Sequence, residues 1–260
     1  MNSTNNTILI TGGGSGIGKG LAEAFHKLGN KVIIAGRRED VLNKATAENP
    51  GMASAVLDVE KPDAIETFAE QVIRDHPSVN VLINNAGIMV PEDLEDPKKS
   101  LAHSEAMITT NVLGPIRLIA AFLPHFQKQP HATIINVTSG LAFLPLAFTP
   151  TYCATKAAIH SYTQSLRYQL KDTKIQVIEL PPPYVQTELM GPQQAKDPNA
   201  MPLADFVSET MNIIQNTPDV TEVCVERVKP LRFAEKSGNY EAFFKNFNDT
   251  MTAAAAAAGH

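Results

Sequence analysis

The chain has 260 residues, 43% of them hydrophobic, which is enough for one sizeable core and suits a single α/β domain. Its formal net charge of −5 argues against nucleic acid or an anionic membrane as the main partner. The two cysteines, Cys153 and Cys224, and seven scattered histidines show no zinc spacing, so no metal is expected and a reducing, cytoplasmic location is.

Thr7–Thr11 is a run of β-branched and aliphatic residues ahead of a glycine cluster and reads as a buried strand. Lys19–Leu28 has helical spacing, with Leu21, Ala24, Phe25 and Leu28 on one side. Lys31–Ala35 reads as a strand, Arg38–Glu48 as a polar helix and Met52–Leu57 as a third strand. A helix over Asp63–Arg74 and a strand over Asn80–Asn84 follow. The second half continues with a long helical region, Ser100–Gln127, a strand at His131–Val137, a helix at Thr151–Lys171 and a strand at Lys174–Leu180. Three prolines at 181–183 then open an irregular stretch. Leu203–Gln215 reads as a helix, Thr221–Val225 as a last strand and Val228–Phe247 as a terminal helix. No uninterrupted apolar run has membrane-spanning length, and the polar first six residues do not resemble a signal peptide. Strands alternating with helices predict a doubly wound parallel sheet of about seven strands, Rossmann-type, in one domain over residues 1–250. Residues 251–260 read as an added alanine-rich tail.

Two segments carry chemistry. A strand, a glycine-rich turn and a helix make an anion site, because the helix start offers unpaired N–H groups and glycines let the backbone approach a phosphate. Gly13 through Lys19 nearly satisfies the P-loop pattern, but Gly20 stands where a hydroxyl should bind magnesium. G-x-G-x-x-G fails as well; T-G-x-x-x-G-x-G fits, at Thr11, Gly12, Gly16 and Gly18. The other segment is Tyr152-Cys153-Ala154-Thr155-Lys156, whose Tyr and Lys share one helix face at a spacing of four. An ammonium beside a phenol favours phenolate, so the expectation is a tyrosine of lowered pKa acting as proton donor and acceptor.

With these motifs in place the chain resembles a classical short-chain dehydrogenase/reductase. The matching residues are Thr11–Gly18, Asp58-Val59, Asn84-Asn85-Ala86-Gly87, Asn111, Ser139, Tyr152-x-x-x-Lys156 and Pro182–Thr187, in the family's order and spacing. Residues 5–13, 137–143 and 152–158 particularly resemble the DltE-like branch of bacterial oxidoreductases. The resemblance implies an NAD(P)-dependent oxidoreductase interconverting a carbonyl and an alcohol. Thr11, Gly12, Ser15, Gly16, Ile17 and Gly18 would line the pyrophosphate. Asp58 and Val59 would meet the adenine, and Asn85, Ala86 and Gly87 the ribose. Tyr152 would be the acid/base, with Lys156 lowering its pKa and bonding the nicotinamide ribose. Ser139 would hold the substrate oxygen, and Asn111 a water leading to Lys156. Val185 and Thr187 would meet the nicotinamide carboxamide, although Pro183 stands where the family has glycine.

The end of the second strand bears on the cofactor. Gly36 replaces the aspartate that a free ribose diol would want, and Arg37 and Arg38 suit a 2′-phosphate, which favours NADP(H) over NAD(H). Glu39 and Asp40 stand close enough in sequence to pair with these arginines. Pro115 has no N–H for the Asn111 carbonyl, so a kink is expected there that leaves the carbonyl to hold water. Substrate candidates are Ser139, Leu141, Phe143, Tyr184 and Met190, with Met89, Ala142, Phe148 and Leu189 beside them; a small to medium apolar ketone or aldehyde follows. Residues 188–216 would form a lid. The resemblance also implies a homodimer through the two long helices, with a tetramer as the alternative; the family's tetramer-forming last-strand motif is missing. The competing functions are an NADPH-binding sensor or scaffold without turnover, and a nucleotide-sugar epimerase, whose glycine pattern does not match.

Overall fold

A computed structural model describes residues 1–257. Six parallel strands form the sheet: β1 (Thr7–Thr11), β2 (Lys31–Gly36), β3 (Ala53–Val56), β4 (Val79–Asn84), β5 (Ala132–Val137) and β6 (Ile175–Leu180). Their spatial order is β3-β2-β1-β4-β5-β6. The order reverses between β1 and β4, and in such sheets the crevice beyond the carboxyl ends at that point is where ligands bind.

Between and after the strands run α1 (Gly16–Lys27), α2 (Glu39–Glu48), α3 (Pro62–Asp75), α4 (Pro97–Ile108), α5 (Gly114–Phe126), α6 (Pro150–Gln169), α7 (Leu203–Asn216), α8 (Lys229–Arg232) and α9 (Tyr240–Ala257). Strand alternation builds two cores. Ile8 and Ile10 of β1 face Leu21, Phe25 and the α7 residues Phe206 and Ile214, whereas Leu9 faces Ile65, Phe68, Phe122 and Phe126 across the sheet. Phe25, Phe122 and Phe206 have no exposed surface, and each contributes about 1.5–3 kcal/mol through burial.

The structure departs from the sequence-based expectation in four places. Thr221–Val225 forms no seventh strand; its extended backbone makes only a bridge to β6, through Glu179 N–H to Thr221 O (2.9 Å) and Val223 N–H to Glu179 O (2.8 Å). Ser100–Gln127 is not one α-helix, because α4 and α5 are joined by a π-helical turn at Thr109–Leu113. There the Gly114 N–H bonds the Thr109 carbonyl, so Pro115 is accommodated by a wider turn rather than by a break. By length and composition Ser100–Phe126 does reach membrane-spanning size, but Leu118, Ile119, Phe122 and Phe126 lie in the core beneath the sheet. The terminal helix is split by Gly238 at φ +77°, and α9 continues through the alanine-rich stretch to Ala257. Residues 258–260 of the expected tail lie outside the described residues.

Candidate active site

At the switch point Thr11 closes β1 against β4. Its hydroxyl accepts the N–H groups of Asn85 and Ala86, both at 3.1 Å, and Asn85 Nδ2 donates to the Thr11 carbonyl at 2.9 Å. Gly12 and Gly16 have φ values of +65° and +51°, a region where a side chain would be strained. Gly18 serves packing: a Cβ there would lie 2.3 Å from the Gly12 oxygen and 2.5 Å from Asn85 Nδ2. The first turn of α1 carries no acidic residue, and its N-terminus opens into a cleft of about 540 Å³. Thr11, Gly12, Ser15, Gly16, Ile17, Asn85, Ala86 and Gly87 all line this cleft, and Gly18 lies just behind it. The positive-φ glycines, the helix start and the cations described next fit a dinucleotide phosphate.

Arg37 and Arg38 line the far end, on the turn after Gly36. Glu39 and Asp40 begin α2 without pairing to either arginine among the described residues. Glu60 takes Arg37 instead, at 3.2 Å across an exposed pair, and Arg38 Nη2 donates to Ser15 Oγ at 3.3 Å. Val59 lines the cleft, whereas the Asp58 carboxylate turns to accept the Glu60 N–H at 3.1 Å.

Tyr152 and Lys156 lie one turn apart on α6, and both are buried. Lys156 Nζ donates to the Val137 carbonyl at 2.9 Å and stands 5.6 Å from the centre of the Tyr152 ring. A Cβ on Gly87 would lie 3.2 Å from Asn111 Oδ1 and 3.6 Å from Lys156 Nζ, so these three residues meet at one point. Asn111 is anchored by Oδ1 accepting the Ile88 N–H and Nδ2 donating to the Ile88 carbonyl, both at 2.9 Å. Ser139 begins a short 3-10 turn after β5, and its oxygen accepts the Leu141 N–H at 3.1 Å.

The electrostatics differ from the expectation of a lysine-lowered phenol. Burial pushes the Tyr152 phenol above its ordinary value, and a hydrogen bond with the Ser139 hydroxyl only partly opposes this. Lys156 is itself lowered to about 8 by desolvation, which weakens the ammonium that was expected to depress Tyr152.

A second cavity of about 470 Å³ adjoins the cleft and shares Met89, Ser139, Tyr152, Pro182 and Pro183 with it. Leu141, Phe148, Tyr184, Leu189 and Met190 line it as predicted. Phe143 does not. Its ring meets His160 edge-on at 4.6 Å and carries the Arg232 guanidinium at 4.4 Å, on the other side of the loop. Cys153 also turns away, with Sγ accepting the Leu146 N–H at 3.2 Å. Val185 and Thr187 line the cleft despite Pro183, whose neighbour Pro182 accepts the Gly140 N–H at 2.9 Å. Gln194 ties down the segment over the cleft: Nε2 donates to the Val185 carbonyl at 2.8 Å, and Oε1 accepts the Met190 N–H at 2.9 Å. The second half of the expected lid, α7, is core, since Phe206 is fully buried and Met211 and Ile214 pack beside it.

Gln194 and Lys196, which the sequence offered as contacts for a polar substrate group, both line the second cavity, whereas sequence reasoning missed the buried Glu92 and the α9 residues Phe247 and Met251. Phe243, Phe247 and Met251 recur every four residues, a signal that was available. Nothing in the sequence links Glu92 to Thr151, 59 positions away, whose N–H and hydroxyl it accepts at 2.8 and 2.7 Å.

A family model for short chain dehydrogenases matches residues 6–198. The chain belongs to that family. One relative, the uncharacterized oxidoreductase DltE of Bacillus subtilis (strain 168), is 42% identical over 253 residues, covering 95% of this chain and 98% of the relative. An NADP-dependent 3-hydroxy acid dehydrogenase of Schizosaccharomyces pombe is 34% identical over 70% of this chain and 72% of that protein. The closed form of serine dehydrogenase with NADP+ superposes with a TM-score of 0.71, at 28% identity over 78% of this chain and 86% of that one. A Burkholderia phymatum family member in complex with NAD gives 0.80 at 20% identity, over 93% of this chain and 96% of its own, which speaks for the fold. This dehydrogenase thus has the Rossmann-type fold and the oxidoreductase character of its family.

Proposed function

We propose that the protein is an NADP(H)-dependent reductase of apolar ketones or aldehydes, running in reverse as an alcohol dehydrogenase. The observation that carries this reading is the position of Tyr152 and Ser139, in the shared wall of a cleft fit for a dinucleotide and an apolar cavity. A nicotinamide bound there supplies the hydride to the carbonyl carbon. Tyr152 gives its phenolic proton to the carbonyl oxygen as negative charge develops on it, and the Ser139 hydroxyl bonds the same oxygen. The raised phenol pKa suits the proton-donor direction, because Tyr152 stays protonated until the oxygen becomes basic. Lys156 holds the ribose side of the site. The Asn111 carbonyl, which Pro115 cannot engage, holds a water between itself and Lys156.

The NADP(H) preference rests on Gly36, Arg37 and Arg38. Arg38 pairs with no carboxylate among the described residues and is available to a 2′-phosphate. Leu101, Ile108 and Leu113 on or beside α4 and Tyr168 on α6 are exposed and apolar, which supports pairing of two copies through these helices. The two unpaired thiols fit a reducing, cytoplasmic setting.

The test is NADPH and NADH consumption against a panel of ketones and aldehydes, with wild type and Tyr152→Phe. The expected result is turnover with NADPH that falls about 10²–10⁴-fold in the variant. Tight NADPH binding without turnover of any carbonyl would favour the sensor role instead.

A further inference from the structure

Part of the wall of the second cavity lies outside the αβ scaffold. It comes from α9, which follows Gly238 and lies beyond the matched family segment. Phe243, Phe247 and Met251 are spaced by four and share one face of this helix. Phe247 and Met251 pack against the cluster of Met89, Met107, Leu146, Tyr152 and Cys153, and both line the cavity together with Tyr152 and Ser139.

α9 is held in register by a two-way clamp. Asn248 Nδ2 donates to the Pro145 carbonyl at 3.1 Å, and Asn248 Oδ1 accepts the Ala147 N–H at 2.6 Å. That loop leads directly into α6 and is itself tied to it by the Leu146–Cys153 bond. The helix that closes the cavity is therefore indexed against the helix that carries Tyr152.

The polar groups around the cavity are largely engaged. The Tyr184 hydroxyl donates to Asp197 Oδ2 at 3.0 Å, and Gln194 is bonded at both ends of its amide. Lys196 is exposed at the rim. Asp197 is already taken by Tyr184 and the Asn199 N–H, and apart from the exposed Lys196 the rest of the lining is mostly apolar, so the chemistry favoured is an uncharged chain or ring attached to the carbonyl.

We propose that α9 is the specificity element of this enzyme, and that Phe247 and Met251 set the length of apolar chain the cavity accepts beyond the carbonyl. The inference builds on the carbonyl-reductase reading of the adjoining site.

The test uses straight-chain primary amides from butanamide to decanamide, carbonyl mimics that take no hydride, titrated calorimetrically into NADPH-loaded protein. In the wild type, affinity should rise about four-fold per methylene and then stop at a cut-off length. In Phe247→Ala and Met251→Ala the cut-off should move to longer chains. Phe247→Leu, which preserves the helix contact, should move it by less. A cut-off at the same length in all four proteins, or no amide binding at all, would overturn the proposal. Reduction of the matching ketones is measured in parallel. Amides that bind with a movable cut-off, beside ketones that are not reduced, leave α9 as the wall and remove the reductase reading. Reduced ketones with an unmoved cut-off remove α9 alone.

Discussion

Lys156 Nζ spends its hydrogen bond on the Val137 carbonyl, 2.9 Å away, while its charge lies 5.6 Å from the Tyr152 ring centre. The lysine is thus fixed by β5, and the tyrosine hydroxyl is directed to Ser139. This geometry makes Lys156 a buried ammonium whose folded-state pKa is depressed to about 8.

Between the folded value and the ordinary value near 10.5, the unfolded chain holds a proton on Lys156 that the folded chain has released. Stability is therefore greatest with respect to this group at high pH and is lost as pH falls toward 8. The difference in unfolding free energy between wild type and Lys156→Met should rise by about 1.4 kcal/mol per pH unit above 8, measured by urea denaturation up to pH 9.5. A difference that stays flat across that window would show that the ammonium is not desolvated.

The cofactor end gives a second prediction. Replacing Arg38 by Ala should raise KM for NADPH about ten- to hundred-fold, the loss of a charge-assisted hydrogen bond, with little change for NADH. Gly36→Asp should move preference toward NADH. A Cβ at Gly36 meets only Leu42 Cδ2, at an ordinary 3.8 Å, so the site has room for the carboxylate. Initial rates with both cofactors decide this, and an unchanged ratio in both variants would remove the NADP assignment.

Glu92 should act on catalysis without touching the cofactor. Thr149, the N-cap of α6, makes no side-chain cap, and Glu92 takes over: its carboxylate accepts the Thr151 N–H, the Thr151 hydroxyl and the Ser104 hydroxyl, the last at 2.7 Å. A carboxylate at a helix N-terminus also answers the helix dipole. Glu92→Ala should cost about 1–3 kcal/mol and lower kcat by shifting Tyr152, while Kd for NADPH stays the same. Thermal melting, steady-state kinetics and cofactor titration separate these effects, and an unaltered kcat would contradict the positioning role.

What the sequence made legible was local or short-period. Thr11–Gly18 could be read because a tight strand-to-helix turn needs glycine at fixed places, and Tyr152 and Lys156 because four residues make one helical turn. Two of the failures were tertiary. Phe143 looked like a pocket residue, but His160 and Arg232 offered its ring both an edge contact and a cation, and it turned to them. Glu92 and Thr151 meet only because the chain folds. The terminal segment was misread for a different reason: Gly238 broke the expected helix, and the alanine run concealed that Met251 belongs to the cavity wall.

In the proposed reaction a hydride passes from NADPH to a carbonyl carbon held at Tyr152. The most direct measurement uses NADPH deuterated at the nicotinamide C4 position, with mass spectrometry of the alcohol formed from the ketone consumed fastest in the panel. One deuterium is expected at the carbinol carbon, with formation of that product reduced about 10²–10⁴-fold by Tyr152→Phe. An unlabelled alcohol, or a labelled one formed equally fast by the variant, would contradict that reaction.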